Sequence, residues 1–164
     1  MKLLLGSVVL VFLMFSSFGA GENLIRNGNC NSVSGWKLNM ATRASDKLKL
    51  GNKVIELRPS RSSWSRAAQK VKFATGSYKL TFRARVEGGD GSDGCMGLKV
   101  APSRSLSNSR AVQSFSFNLN NQWQDCEYTF TTNKKKKVKF LIFHNGNTKG
   151  TKLHIDDVVL LKVK

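Results

Sequence analysis

Acidic residues and prolines are scarce in this sequence, whereas lysine and arginine are abundant. The 164 residues include 2 prolines and 10 aspartates and glutamates, against 27 lysines and arginines, so the net charge is +17. The few carboxylates are scattered, and none forms a pair at a spacing that supports glycoside hydrolysis. The cations favour polyanionic partners, which outside the cell are sulfated or carboxylated polysaccharides, acidic membrane surfaces, or nucleic acid bound only nonspecifically. The alternative is that the charge serves solubility alone.

The motifs of several enzyme and metal-site classes are also missing. The chain has no Gly-x-Ser-x-Gly, Cys-x-x-Cys or His-Glu-x-x-His sequence. These absences predict a protein that is not an enzyme and holds no structural zinc. In an oxidising compartment, three cysteines suggest one disulfide and one odd thiol, which could link two chains or fill a core position. Spacing does not tell which two of Cys30, Cys95 and Cys126 pair.

One long apolar run lies at the N-terminus. Residues 2–18 contain one lysine, then an apolar stretch, then small residues, which is the arrangement of a secretory signal peptide. Ser16 and Ser17 interrupt the run, and no basic stop-transfer segment follows, so a signal peptide is favoured over a membrane anchor. We therefore expect residues 1–20 to be a signal peptide and residues 22–164 to form one secreted domain without a membrane span.

Beyond residue 22, apolar and polar residues alternate, which is typical of strands buried on one face. The clearest example is "SYKLTFRARVE", whose polar side carries Lys79, Thr81, Arg83 and Arg85. Similar segments recur between clusters of Gly, Asn, Ser and Asp, and they amount to about eight or nine strands if "NLIRNG" is counted. Because no helix is long enough for a crossover, the pattern predicts an all-β antiparallel sandwich or barrel.

The order of several segments resembles a known family. "NLIRNGNCNSVSGW" is followed by a lone tryptophan in "SSWSRAAQKVKF", and then by "GSYKLTFRARVE", "NNQWQDCEYTFTT", "FLIFHNG" and "LHIDDVVLL". This order, from Asn23 to Leu161, resembles the carbohydrate-binding modules of families four, nine and twenty-two. The resemblance implies an antiparallel jelly-roll β-sandwich of the galactose-binding-domain type, which holds a glycan along a concave sheet and often carries a structural calcium ion near the chain ends.

The candidate glycan-binding residues rest on residue type and on this resemblance. Trp64, flanked by serines, is the least core-like aromatic and the first choice for a stacking platform, with a place at the edge of the core as the alternative. The resemblance also places His144 in the cleft and residues 79–85 on the concave sheet, where two arginines favour an acidic sugar. The predicted set is Trp64, Thr81, Arg83, Arg85, Gln113, Phe115 and His144, in which Phe115 is either a second platform or core.

Other residues are predicted to have structural roles. Trp36 and Trp123 are expected to fill the core at sheet edges. The resemblance makes Asp156 a candidate calcium ligand, but Cys30 and Asn31 stand where the family usually has Phe and Glu, so one anionic oxygen is lost. The alternative for Asp156 is hydrogen bonding to the chain ends.

A metal site between His144 and His154 is disfavoured. Consecutive strands of a jelly roll commonly lie in opposite sheets, and no carboxylate completes a ligand set at suitable spacing. The sequence therefore predicts a secreted, noncatalytic protein that binds a polysaccharide, with an anionic one favoured by the arginines. Two alternatives remain open, namely a basic matrix or adhesive protein that binds polyanions nonspecifically and an accessory binding subunit of a glycoside hydrolase.

Overall fold

The computed structural model describes residues 21–58, 65–88, 94–101, 113–132, 139–145 and 151–164. This part of the chain forms strands and contains no helix that could cross a membrane. The strands are β1 (Trp36–Asn39), β2 (Ala41–Ser45), β3 (Lys53–Leu57), β4 (Ser65–Val71), β5 (Gly76–Glu87), β6 (Gly94–Ala101), β7 (Gln113–Leu119), β8 (Gln124–Thr132), β9 (Lys139–Asn145) and β10 (Lys152–Lys162). The predicted strands after residue 52 are found, whereas β1 and β2 were not predicted.

The strands form two five-stranded sheets that pack face to face. One has the order β1-β4-β9-β6-β7 and is called the β9 sheet, and the other has the order β2-β3-β10-β5-β8 and is called the β10 sheet. All neighbouring strands are antiparallel. Among these strands, the chain stays in one sheet from β2 to β3 and from β6 to β7, and it changes sheet at every other connection. The predicted antiparallel jelly-roll sandwich is therefore confirmed.

Alternating residues of both sheets build the core between them. On β5, Leu80 and Phe82 point into the core, and the ring centroids of Phe82 and of Phe143 on β9 are 5.1 Å apart. Trp36 is 7% exposed and lies 6.1 Å from the Phe143 ring, so its predicted core role is confirmed. Because side chains alternate along a strand, the residues between these positions lie on the outer faces of the sandwich.

The N-terminal segment packs against the last strand through turns. "NLIRNG" was predicted as a strand, but it forms no ladder, and a backbone bond from Leu24 N–H to Leu160 O ties it to β10 over 2.9 Å. Asn27 has a φ of +49°, so the chain turns here through a left-handed residue. Gly28 O then accepts a 2.8 Å bond from Val158 N–H, beside a bulge at which the β10 register shifts. The turn therefore fits against the bulge.

Candidate functional site

The predicted glycan-binding residues occupy opposite outer faces of the sandwich. His144 pairs with Arg66 and Gly97 in the β9 sheet, and it alternates with core residues of β9, so it lies on the outer face of that sheet. Thr81, Arg83 and Arg85 alternate with core residues of β5 and lie on the outer face of the β10 sheet. The expectation that they share one groove with His144 is wrong, because β5 and β9 belong to different sheets.

Three of the predicted residues cannot be placed in full. Trp64 lies outside the described residues and immediately precedes β4 in the sequence. The backbones of Gln113 and Phe115 lie in β7, opposite Val100 and Leu98 of β6, but their side chains also lie outside the description. Their roles in sugar binding therefore stay predictions.

The two arginines of β5 are already paired with carboxylates of this chain. The Arg85 side chain is 6% exposed, and its Nη2 atom lies 3.2 Å from Glu87 Oε2 and 3.9 Å from Asp46 Oδ1. Arg83 is more open, with Nε 3.6 Å from Asp125 Oδ1 and Nη1 3.9 Å from Asp157 Oδ2. These contacts contradict the expectation that both arginines are open to an acidic sugar, because nearby carboxylates repel anions and Arg85 is buried.

Thr81 and Arg83 line an open groove of about 400 Å³ on this face. Its other lining residues include Asp125, Glu127 and Asp157, and Arg83 bridges towards two of them. Among the lining residues, three carboxylates thus outnumber the single arginine, so the groove favours neutral or cationic ligands over acidic sugars. Thr81 therefore stays a candidate for binding a neutral or cationic ligand and not an acidic sugar.

A buried polar row runs across three strands of the β10 sheet. His154 pairs in register with Glu56 on one side and with Arg85 on the other, and its Nε2 lies 2.9 Å from Glu56 Oε2. Burial lowers the pKa of His154 despite the opposing effect of Glu56. Burial alone would raise the pKa of Glu56, but hydrogen bonds from Arg58 and His154 bring it below its usual value. Ion pairs of Glu56 with His154 and of Arg85 with Glu87 hold this buried row together, although Arg85 Nε and His154 Nδ1 have no hydrogen-bond partner among the described residues. Because the row is buried, it leaves little for a ligand.

Trp123 belongs to the same outer face and not to the core. Its half-buried ring has the guanidinium carbons of Arg83 and Arg85 at 5.2 and 5.4 Å from its centroid. Both distances suit cation–π contacts, which hold the arginines against the sheet. The predicted core role of Trp123 is therefore wrong, and its polar surroundings in "NNQWQD" were the available signal that it lies at the surface.

The outer face of the β9 sheet differs from that of the β10 sheet in its charge. None of the five strands of the β9 sheet contains an aspartate or glutamate. The cations that point outward from this sheet are Lys37, Arg66, Lys70 and Lys99. They form no ion pair within the described part of the chain. The strands of the β10 sheet, by contrast, carry Glu56, Glu87, Asp125, Glu127, Asp156 and Asp157. Because the strands of the β9 sheet contain cations and no carboxylate, the net positive charge of the strands is concentrated on that sheet.

The antiparallel registers arrange the polar residues of this face in rows. One row runs from Asn39 through Arg66, His144 and Gly97 to Ser116. The next row runs from Lys37 through Ala68, Ile142 and Lys99 to Ser114. In both rows the centre is buried and the ends are exposed. Hydroxyl, amide and ammonium groups therefore surround a central strip, which consists of Ala68, Phe140, Ile142 and His144.

The central strip is apolar except for His144. Ala68, Phe140 and Ile142 form a small buried cluster separate from the main core. His144 is 8% exposed, and burial, with a smaller effect of Lys99, lowers its pKa to about 4. At neutral pH the imidazole is therefore uncharged, with one nitrogen able to donate a hydrogen bond and the other able to accept one. That is the form suited to sugar hydroxyls.

Solved structures with the same architecture are carbohydrate-binding modules. A family 22 xylan-binding domain from Paenibacillus barcinonensis Xyn10C matches with a TM-score of 0.67 at 10% identity, covering 88% of this chain and 97% of that domain. A family 4 carbohydrate-binding module matches with a TM-score of 0.64 at 18% identity, covering 84% of this chain and 99% of the other. The chain has the jelly-roll fold of the carbohydrate-binding modules.

The same module fold also occurs inside a much larger protein. The enzymatically active domain of tailspike protein 4 from bacteriophage CBA120 matches with a TM-score of 0.62 at 14% identity. That match covers 86% of this chain but 21% of the tailspike domain, so it shows a shared fold and not a shared activity. No protein-family model matches the sequence, and no curated protein matches it significantly.

The residues around Asp156 do not fit the calcium ion that this module fold implies. One carboxylate oxygen of Asp156 accepts a 2.6 Å hydrogen bond from Asn52 Nδ2, and the other accepts one from the Asp157 amide at 2.8 Å. Burial, and to a smaller extent the nearby Asp156 carboxylate, raises the pKa of the Cys30 thiol. The Asp156 carboxylate is thus surrounded by nitrogen donors and a thiol, which do not bind Ca²⁺. A calcium ion needs six to eight oxygen ligands. Within the described residues, no three His, Cys, Asp or Glu side chains come together in a way that could hold a metal ion. Calcium binding stays a prediction.

The structure contains Cys30 and Cys126 as free, buried thiols. Burial, with a smaller effect of Asp125, raises the pKa of Cys126 to about 11, so both thiols are protonated at neutral pH and poorly reactive. The side chain of Cys95 lies outside the described part. These two cysteines are therefore not bridged to each other, and a disulfide in the module stays a prediction.

Proposed function

We propose that this is a secreted, noncatalytic protein that binds a polysaccharide across the outer face of the β9 sheet. The observation that carries the proposal is the arrangement of that face, in which neutral His144 lies in a carboxylate-free sheet whose cations form no ion pair among the described residues. The shared fold supports the proposal, because one neighbour with this fold is a xylan-binding domain. The N-terminal sequence, with its signal-peptide pattern, supports secretion.

The chemistry of the face suits a sugar chain. Asn39, Ser114 and Ser116 are exposed and offer amide and hydroxyl groups for sugar hydroxyls. In the sequence, Trp64 directly precedes Ser65, which is the first residue of β4 and pairs with Asn145 at the end of β9. Trp64 stays the predicted stacking platform, because an indole supplies the flat apolar surface on which a pyranose ring stacks.

The charge of the face favours an anionic polysaccharide. Lys37 and Lys99 stand on either side of the central strip, and Arg66 lies beside His144. Without a carboxylate in the sheet, they attract carboxylate or sulfate groups without competition from within it. Arg83 and Arg85, which the sequence suggested for this role, instead stabilise the opposite face.

Replacing His144 with alanine is expected to weaken glycan binding by about fivefold, because a neutral hydrogen bond in a partly dry site contributes about 1 kcal/mol. A glycan array identifies the ligand, and isothermal titration at pH 7 then measures its affinity. The matched control is Thr81→Ala on the opposite face, which should leave the affinity unchanged. If Thr81→Ala weakens binding and His144→Ala does not, the site lies on the β10 sheet and the proposal is wrong.

The same array separates the proposal from a basic matrix protein. A matrix protein would bind sulfated glycans, nucleic acid and polyglutamate alike, and moderate salt would abolish all of this binding. Selectivity for one glycan backbone that persists at about 300 mM salt would support a defined site. No glycan binding at either low or moderate salt would contradict the proposed function.

A further inference from the structure

A second surface feature lies beside the proposed glycan face, where the N-terminal segment meets the end of β4. Here a groove of about 530 Å³ is lined by residues 22–24, Arg26 and Gly35 and by residues 69–72. Lys70 belongs both to the groove and to the outer face of the β9 sheet. The groove is therefore continuous with the face.

Hydrogen bonds fix the wall of the groove. Gln69 is 2% exposed and pairs with the backbone of Arg26 in the manner of a strand. The Arg26 N–H donates to Gln69 Oε1 at 2.6 Å, and Gln69 Nε2 donates to Arg26 O at 2.9 Å. Because both backbone groups of Arg26 are used, the position of its Cα is set and only its side chain can move.

Gly35 gives the Arg26 side chain its room. Gly35 has a φ of +89°, and a Cβ at this position would lie 3.3 Å from Cβ and 3.8 Å from Cδ of Arg26. The aliphatic part of Arg26 thus passes close over the glycine backbone. A side chain on residue 35 would displace it, so Gly35 and Gln69 together hold Arg26 in the groove.

The groove carries an excess of positive charge. Arg26, Lys70 and Lys72 line it, and none of the three forms an ion pair within the described part of the chain. Glu22 is the one carboxylate among the lining residues, and it is exposed. Three cations against one carboxylate in a preformed groove make a site for an anionic group.

We propose that this groove binds a sulfate or carboxylate group of an anionic polysaccharide whose chain continues along the β9 sheet. The Arg26 guanidinium provides a two-pronged contact, and Lys70 and Lys72, about 7 Å apart on one side of the chain, provide point charges. The inference rests on the proposed function and adds a second contact site for the anionic groups of that ligand. A polysaccharide fits better than single-stranded nucleic acid, because none of the described residues that line the groove is aromatic and could stack on a base.

The test uses the full chain and three probes, namely a heparin-derived hexasaccharide, the same hexasaccharide after desulfation, N-acetylation and carboxyl reduction, and an oligothymidylate of charge matched to the sulfated probe. The groove variant is Arg26→Gln with Lys72→Gln. The control is Lys49→Gln with Lys53→Gln, which removes the same charge from the β2–β3 hairpin of the other sheet. Thermal melting verifies that both variants fold, and titrations at several salt concentrations give affinities and salt slopes.

The groove variant should bind the sulfated hexasaccharide at least tenfold more weakly than the control does, with a salt slope smaller by roughly two. Both variants should bind the desulfated, carboxyl-reduced hexasaccharide equally, because it carries neither anionic group. Equal loss in both variants, no binding of the sulfated probe by the wild type, or stronger binding of the oligothymidylate would each overturn the groove assignment. In all three cases the proposed function is judged separately, by whether His144→Ala weakens binding of the ligand found on the array.

Discussion

Replacing Gly28 with alanine is expected to lower the free energy of unfolding by about 3 kcal/mol. A Cβ on this residue would lie 1.9 Å from Val158 O and 3.0 Å from Val158 C, both of which are backbone atoms inside β10. The Asn27–Gly28 turn would have to move away from the β10 bulge and lose the bond from Val158 N–H to Gly28 O. Chemical denaturation of both proteins at pH 7 measures the loss.

Gly51→Ala provides the matched control. Gly51 has a φ of +81°, but a Cβ there would meet nothing within 4 Å. Alanine at this position is therefore strained only by its left-handed backbone, which costs about 1 kcal/mol. Equal destabilisation by the two substitutions would mean that backbone conformation, and not the close approach to Val158, explains the requirement for glycine at position 28.

The alternation in the sequence predicted the strands that contribute most to the core. "SYKLTFRARVE" is correctly predicted as β5, because each inward apolar residue is followed by an outward polar one. β1 and β2 escaped prediction because they are short edge strands, whose sequences "WKLN" and "ATRAS" carry too few apolar residues to show a period. "NLIRNG" was predicted as a strand from its aliphatic residues, but these pack into the core from turns.

The candidate site was harder to predict, because its residues meet only through sheet order. Nothing local in "RAR" shows that Asp46, 39 residues before Arg85, would approach it. Likewise, the register that brings Lys37, Ala68, Ile142 and Lys99 into one row depends on which strands are neighbours. The partition of charge was nevertheless visible in the sequence once the strands were assigned to sheets, because it depends only on which strands contain carboxylates.

The two histidines lead to a further expected result, which is that the protein loses stability as the pH falls from 6.5 towards 4. Burial, and to a smaller extent Lys99, lowers the folded-state pKa of His144 from 6.5 to about 4. Between these values the unfolded chain binds a proton that the folded protein does not, so acid favours unfolding. The expected loss from His144 is about 3 kcal/mol, complete near pH 4. Burial also lowers the pKa of His154, so its effect has the same sign.

Glu87 separates this effect from ordinary acid unfolding. A hydrogen bond from Lys47, which outweighs the effect of burial, lowers the pKa of Glu87 from 4.5 to about 2, so its contribution is intact above pH 4.5 and is lost below it. Denaturant titrations of the wild type and His144→Gln at pH 7, 5.5 and 4.5 test the histidine effect in its own window. Over this pH range the variant should lose less stability than the wild type. The loss that remains in the variant is the part due to protonation of His154. Parallel curves for the two proteins would show that His144 is hydrated and titrates normally. The centre of the β9 sheet would then carry a charged imidazolium at mildly acidic pH, and the ligand chemistry proposed there would be wrong.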